Sequence, residues 1–253
     1  MSWFDFNTRI GQNPLVPLTP APASIYGTER RYWTPEAPLD CPLGTLMCAV
    51  CPAPVPVDAL TFLLPEEEQF AATLEAPDRH REWIAGRVSM AAALSNLCAP
   101  RLPILHLPWG PPSIPSGFAG SISHKGPLTV ALADVGVAAV GVDVECVEAS
   151  DQKLAMRILT DRERSRLYTL DAADKALFIT AHFALKEAIF KALEEEDQLI
   201  VDFENIELAT SAAQPVPRVW SEFAVSVMTR APHRIRASLF WDQGWIVAAA
   251  SRQ

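Results

Sequence analysis

Gly141-Val142-Asp143-Val144-Glu145 is the stretch from which both the fold and the chemistry are read. A β-strand repeats every two residues, so Asp143 and Glu145 project from one face. Val142 and Val144 point the other way, into a core. Two carboxylates about 7 Å apart along a strand repel each other unless a cation lies between them. Hard oxygen ligands suit Mg²⁺ or Mn²⁺, and Mg²⁺ completes its shell with waters and substrate phosphates. An isolated D-x-E is equally compatible with a solvated strand end, so its surroundings decide.

Immediately upstream, residues 128–133 and 137–145 read as two strands, with Asp134-Val135-Gly136 as the turn between them. Before them stands Gly120-Ser121-Ile122-Ser123-His124-Lys125-Gly126. Hydroxyls, an imidazole and an ammonium between glycines suit an anion held by side chains and backbone N–H groups. No G-x-S-x-G elbow is present, so the Ser-His adjacency does not mark a hydrolase.

Downstream, residues 174–193 form the strongest helical pattern in the chain. Leu185, Ala188, Ile189 and Ala192 fall at i, i+3, i+4 and i+7, a buried stripe. Phe183, Glu187 and Lys191 make a second line at i, i+4 and i+8, with Lys186 beside it. At the edge of an apolar stripe, the Glu–Lys pair is expected to face a groove. Thr160-Asp161-Arg162-Glu163 is a capping box opening a further helix. Residues 153–159 read as a short basic and apolar helix. Between positions 151 and 191 there are eight basic and six acidic side chains, a locally positive region.

The rest of the chain bounds these readings. It has 253 residues, 49% hydrophobic, with a net charge of −9. It can bury a substantial core, and its acidity argues against a broad nucleic-acid surface. No apolar run reaches the length of a membrane span, and residues 1–10 lack a signal-peptide pattern, so a cytoplasmic location is expected. Five cysteines, Cys41, Cys48, Cys51, Cys98 and Cys146, are read as structural. The C-x-x-C at Cys48 and Cys51 lacks both a second ligand pair for zinc and the βαβ context of a redox site.

Residues 1–40 are expected to be loops anchored by Trp3, Phe4 and Trp33, and residues 43–51 a first strand. Helices are expected from position 65 and over 78–98, the latter with Arg79, Arg81 and Arg87 on or near it. Residues 99–120 form a Pro-rich connection. Glu194 to Asp197 reads as a solvated acidic loop, followed by an edge strand, and Pro215 and Pro217 mark another loop. Strands at 234–240 and 244–250 are joined by Asp242-Gln243-Gly244, a hairpin signal.

Taken in order, Gly120-Ser-Ile-Ser-His124, Gly141-Val-Asp-Val-Glu145 and Phe183-Ala-Leu-Lys-Glu-Ala-Ile-Phe-Lys191 resemble the motifs of 4′-phosphopantetheinyl transferases of the surfactin and enterobactin-synthase type. The Phe heading the third motif, and Ala85-Gly86-Arg87, are nearer to the enterobactin-synthase component D branch. The motifs span residues 79–191.

The resemblance implies an α+β fold, a pseudo-twofold pair of subdomains at 1–137 and 138–253. Each is an antiparallel sheet packed with helices, and coenzyme A lies between them. It implies Mg²⁺-dependent transfer of the phosphopantetheine arm of coenzyme A to a serine of an apo acyl or peptidyl carrier protein, releasing 3′,5′-ADP. The carrier could belong to fatty-acid, polyketide or nonribosomal peptide synthesis. The metal ligands implied are Asp143, Glu145 and Glu187, with Mn²⁺ as the alternative ion. Glu187 is also the candidate base, and Lys191 neutralises the transferred phosphate. Lys186 is expected to contact a phosphate or the same anionic cluster, Ser123 and His124 to contact coenzyme A, and Arg87, with Arg79 as the second choice, to meet its 3′-phosphate.

The family's cation ahead of the Ser-His motif is missing at Trp109-Gly110-Pro111-Pro112, so either Arg101 or Lys125 is expected to compensate or the affinity for coenzyme A to be lower. The carrier's acidic helix is expected on residues 153–166, with Met156, Ile158 and Leu159 as apolar contacts. A monomer that binds no nucleic acid or membrane is expected. A metal-dependent phosphohydrolase and a non-catalytic carrier-binding module are the competing readings.

Overall fold

The computed structural model describes residues 40–107, 110–148, 151–209, 217–230 and 232–253. The aromatic anchors expected at Trp3, Phe4 and Trp33, the departure at Trp109, and Pro215 lie outside the described residues. Two antiparallel sheets organise the rest. The first has strand order β1-β3-β2, from β1 (Thr45–Val50), β2 (Phe118–Lys125) and β3 (Leu128–Val135). The second has order β4-β8-β7-β6-β5, from β4 (Ala139–Cys146), β5 (Ile206–Ala209), β6 (Ser221–Val227), β7 (Ile235–Asp242) and β8 (Trp245–Arg252). Helices α1 (Pro65–Ala71) and α2 (Pro77–Asn96) precede β2. Helices α3 (Gln152–Ile158), α4 (Asp161–Leu167), α5 (Ala172–Ala192) and the single turn α6 (Glu195–Gln198) lie between β4 and β5.

The connectivity repeats. In β1-α2-β2-β3 and again in β4-α5-β7-β8, a strand and a long helix are followed by a hairpin whose second strand pairs with the first. β6 and β5 extend the second sheet only. This is an α+β fold with a pseudo-twofold repeat.

Alternation along the strands sorts the side chains into layers. Leu128, Val130 and Leu132 of β3 meet Val140, Val142, Val144, Val247 and Ala249 of β4 and β8 in one apolar layer shared by the two sheets. Ala131, Ala133 and Met47 turn the other way, onto Met90, Ala93 and Leu94 of α2. Leu185, Ala188, Ile189 and Ala192 of α5 pack on Leu239, Ile246, Ala248 and Ala250, so the stripe read from the helical period faces the second sheet.

Residues 118–125 form strand β2, with its register set by β3 (Ser123 opposite Val130), so the Ser-His pair is carried on a strand. The turn expected at 134–136 is corrected: Asp134 and Val135 still belong to β3, the bend covers residues 136–138, and β3 and β4 do not pair, because the chain crosses there from one sheet to the other. The hairpin at Gln243 and Gly244 forms as expected, both in the left-handed region (φ 47° and 85°), which suits a tight β7–β8 turn. No disulfide joins Cys41, Cys48, Cys51, Cys98 and Cys146. Among the described residues no helix is long and apolar enough to cross a membrane.

Candidate functional site

The edge strands of the two sheets, β2 and β4, run side by side in the same direction, and side chains close the seam between them. Ser121 Oγ accepts the Val142 N–H at 3.1 Å, Ser123 Oγ donates to Asp143 Oδ1 at 2.7 Å, and Lys125 Nζ reaches Glu145 Oε2 at 2.6 Å. From the facing helix α5, Lys191 Nζ donates to Asp143 Oδ1 at 2.8 Å, to the Val142 carbonyl at 3.0 Å and to Ser123 Oγ at 3.3 Å. Asp143 and Glu145 therefore share a strand face, as the period of two requires, and Glu187 and Lys191 look onto it from α5. Helix and strand approach this closely because Gly141 has no side chain. A Cβ there would lie 1.8 Å from the Ala188 carbonyl oxygen.

Asp143 and Glu187 are buried, and Asp143 Oδ2 and Glu187 Oε1 have no hydrogen-bond partner among the described residues. A buried carboxylate oxygen left unpaired costs about 1–3 kcal/mol. Burial pushes the Glu187 carboxyl up to about 8; Lys191 opposes this, while Asp143 and Glu145 add to it. Burial and then Asp143 push Glu145 up to about 7, against the pull of Lys125. Burial works against the Lys191 ammonium, but Asp143 and Glu187 hold it above the usual lysine range. Two orphaned oxygens and two carboxyls driven toward neutrality by burial and then by like charge are what a divalent cation among these three would relieve, so the residues fit one.

The three carboxylates do not all offer oxygens within 4.8 Å of one another; among the described residues Glu194, Asp197 and His233 do. That second group is saturated by protein donors. Asp197 accepts from the Arg230 N–H at 3.0 Å and meets His233 Nε2 at 2.8 Å, and Glu194 pairs with Arg252 at 2.7 Å. The buried Asp197 also corrects the expectation of a fully solvated acidic loop.

Beside the acidic cluster the field changes sign. His124 lies on β2 with Nδ1 3.3 Å from Glu82 Oε1 of α2. Its imidazole is pushed down to about 4 by burial and then by Arg79, Lys191 and Arg81. Arg79 is exposed, with Nη1 3.3 Å from Glu82 Oε2. A seat for a cation thus adjoins a cationic surface for an anion, an arrangement that can hold a metal–diphosphate.

Other expected residues stand elsewhere. Arg87 is buried on α2, donating from Nε to the Ile104 carbonyl at 2.8 Å and from Nη2 to the Leu105 carbonyl at 3.0 Å. Its guanidinium lies 3.4 Å from the Trp83 ring centroid, and burial brings its pKa down to about 10. Arg101 forks onto Glu67 (2.8 and 3.3 Å), clamping the connection to α1 rather than replacing a missing phosphate cation.

The expectation for Lys186 is corrected. It is fully buried on the side of α5 away from the carboxylates, 2.6 Å from Glu163 Oε2. Burial lowers its pKa against the opposing pull of Glu163. Successive helical residues diverge by about 100°, so neighbours in sequence face different partners. Ile158 and Leu159 are likewise core residues, not surface contacts, whereas Met156 is 54% exposed. Sequence reasoning missed the seam role of Ser121 and the pairing of Lys125 with Glu145. The period of two already places Ser121, Ser123 and Lys125 on one strand face, but not what lies opposite.

Comparison with known proteins gives consistent matches. A family model described as the 4′-phosphopantetheinyl transferase superfamily matches residues 139–249. A second, described as the 4′-phosphopantetheinyl transferase N-terminal domain, matches residues 66–134, and the two together span more than half of the chain. The chain is 32% identical over 164 residues to 4′-phosphopantetheinyl transferase Svp of Streptomyces mobaraensis, covering 61% of this chain and 63% of that protein. It is 34% identical over 135 residues to enterobactin synthase component D of Escherichia coli, covering 51% and 62%. It thus spans a little under two thirds of the length of these curated relatives. A holo-(acyl-carrier-protein) synthase from Bacillus anthracis, solved with CoA (3′,5′-ADP), is 23% identical with a TM-score of 0.37 over 45% of this chain and 93% of that one. That likeness is too low to carry a role from one to the other.

Proposed function

The chain belongs to the 4′-phosphopantetheinyl transferase superfamily, and from that premise we propose that it transfers the 4′-phosphopantetheine arm of coenzyme A to a serine of an apo acyl or peptidyl carrier protein. The serine oxygen bonds to the phosphorus that bears the pantetheine arm. The bridging P–O bond of the diphosphate breaks, and 3′,5′-ADP leaves with the bridging oxygen. The observation that carries this reading is the pair of buried, unpartnered carboxylate oxygens on Asp143 and Glu187, set beside the cations of Arg79 and Lys191 and the neutral imidazole of His124.

Asp143, Glu145 and Glu187 would hold Mg²⁺, whose charge offsets that developing on the leaving phosphate. Lys191 orients Asp143 and Ser123 through its hydrogen bonds and lies where it can also meet the transferred phosphate. Glu187 would take the serine proton, directly or through water; a bound cation would lower its raised pKa and make it a weaker base. His124, held neutral by its surroundings, and Ser123 offer hydrogen bonds to coenzyme A. Arg79 is the arginine best placed for the 3′-phosphate, since Arg87 already serves two carbonyls. The division into subdomains near residue 137 is supported by the change of sheet between Val135 and Ala139. The substrate cleft follows the β2–β4 seam.

Incubation with coenzyme A and Mg²⁺, with and without apo-carrier, tests the reading by mass spectrometry. A mass gain of one phosphopantetheine on a single carrier serine, with 3′,5′-ADP released only when carrier is present, is the expected outcome. Release without carrier would instead mark a phosphohydrolase.

The carrier is proposed to meet the exposed face of α3 and α4, which presents Lys153, Arg157, Arg162 and Met156. Charge reversal at Arg157 and Arg162 is expected to raise the carrier KM about tenfold and leave coenzyme A affinity unchanged. Carrier kinetics equal to the parent's would remove this face from consideration.

A further inference from the structure

The ion pair between Lys186 and Glu163 is buried. Lys186 Nζ donates to the Ile158 carbonyl at 2.6 Å, to Glu163 Oε2 at 2.6 Å and to the Phe203 carbonyl at 3.1 Å. Glu163 is equally committed. Its Oε2 also accepts the Thr160 N–H at 2.9 Å, and its Oε1 accepts the Leu208 N–H at 2.8 Å. Thr160 Oγ1 accepts the Glu163 N–H at 3.2 Å, completing the capping box of α4. The last residue of α3, the cap of α4, the turn at Phe203–Asn205 and strand β5 therefore converge on one pair. That pair is rooted on α5 one residue before Glu187. An ammonium has three N–H donors, and here three are engaged by protein acceptors.

We propose that Lys186 is a positioning residue, which through Glu163 fixes the basic α3–α4 ridge relative to the helix that carries Glu187 and which contacts no phosphate of the substrate. This rests on the transferase reading and deepens it. Two other ion pairs of the ridge, Arg162 with Glu207 at 3.0 Å and Arg164 with Glu204 at 3.6 Å, are partly exposed and reach β5 and the Phe203–Asn205 turn rather than α5. α3 and α4 are each seven residues long, and their apolar residues Ala155, Ile158, Leu159 and Leu167 pack against Ile179 and Phe183 of α5 through non-directional contacts. The ion pair supplies direction, because its geometry is satisfied only when all four segments are in place. Removing one partner alone strands the other charge in the core, whereas removing both does not.

Two variants test it. Glu163→Gln removes one charge and keeps an acceptor for the Leu208 N–H. Lys186→Met combined with Glu163→Gln removes both charges. Coenzyme A affinity is measured by calorimetry with Mg²⁺, KM and kcat on an apo-carrier, and backbone amide exchange segment by segment. In the double variant the coenzyme A Kd is expected to stay within about twofold of the parent while the carrier KM rises about tenfold and kcat changes less. Exchange is expected to quicken across α3 and α4 and to stay unchanged across α2.

A tenfold loss of coenzyme A affinity would make Lys186 a phosphate ligand and overturn the proposal. So would unchanged carrier KM and exchange, or failure of the double variant to fold, which would give the pair a global role. If the parent transfers the arm to no carrier, the functional reading fails separately, and affinity and exchange still decide the placement of Lys186.

Discussion

A Glu187→Gln variant is expected to lose about a thousandfold in transfer rate and yet, without metal, to melt at a higher temperature than the parent near neutral pH. The two effects have one origin. Glu187 Oε1 is buried without a partner, and its carboxyl is driven up to about 8 by burial and by Asp143 and Glu145. Between the ordinary value of 4.5 and about 8, the unfolded chain has lost a proton that the folded chain retains. The unfolded state then binds fewer protons, so stability falls as pH rises through that window and is fully present only below about 4.5. Gln removes this slope together with the charge.

Melting curves of the metal-free parent should therefore decline from about pH 5 to pH 8, and those of the variant should be flatter. Because metal binding needs the ionised carboxylates, the parent's apparent Mg²⁺ affinity is expected to rise with pH over the same range. A variant that retains more than a tenth of the parent's activity, or that melts lower at neutral pH, would remove Glu187 from the role assigned to it.

Gly141→Ala is expected to be the most damaging Gly→Ala change among the described residues. The added Cβ would stand 1.8 Å from the Ala188 carbonyl oxygen, 2.8 Å from its carbon and 3.1 Å from the Ala192 nitrogen. These are backbone atoms of α5, and no rotamer change relieves them. α5 must lift from β4, which loosens the contact between the helix bearing Glu187 and Lys191 and the strand bearing Asp143 and Glu145. A loss of more than about 3 kcal/mol is expected, at or beyond the upper end of ordinary overpacking. It would be read as insoluble expression or a large fall in the urea midpoint.

Gly86→Ala serves as the control. Its Cβ would meet a side-chain methyl, Ile122 Cγ2, at 3.2 Å, and the helix gains up to about 1 kcal/mol of propensity from Ala. A net change under about 1 kcal/mol is expected there. An unchanged midpoint in Gly141→Ala would show that helix and strand do not approach as described.

What the sequence determined by itself was periodic and local. A period of two placed Asp143 and Glu145 on one face with Val142 and Val144 behind them, and the strand β4 keeps that division. A period near 3.6 placed Leu185, Ala188, Ile189 and Ala192 in a stripe, and all four pack on the second sheet. The capping box at Thr160 and Glu163 and the turn at Gln243 and Gly244 were legible because their hydrogen bonds close within a few residues.

What lay opposite each face was decided only by the tertiary structure. Lys186 turns to Glu163, Arg87 to the carbonyls of Ile104 and Leu105, and Arg101 to Glu67. A cation's partner is whichever acceptor the packed chain brings within reach, and no spacing along the chain encodes that. The same holds for β3 and β4, joined by a short turn yet assigned to different sheets, and for β2 and β4, distant in sequence yet joined by Ser121, Ser123 and Lys125. Periodicity says which side of an element is apolar, while long-range pairing depends on which surfaces bury that side best, and this belongs to the whole chain at once.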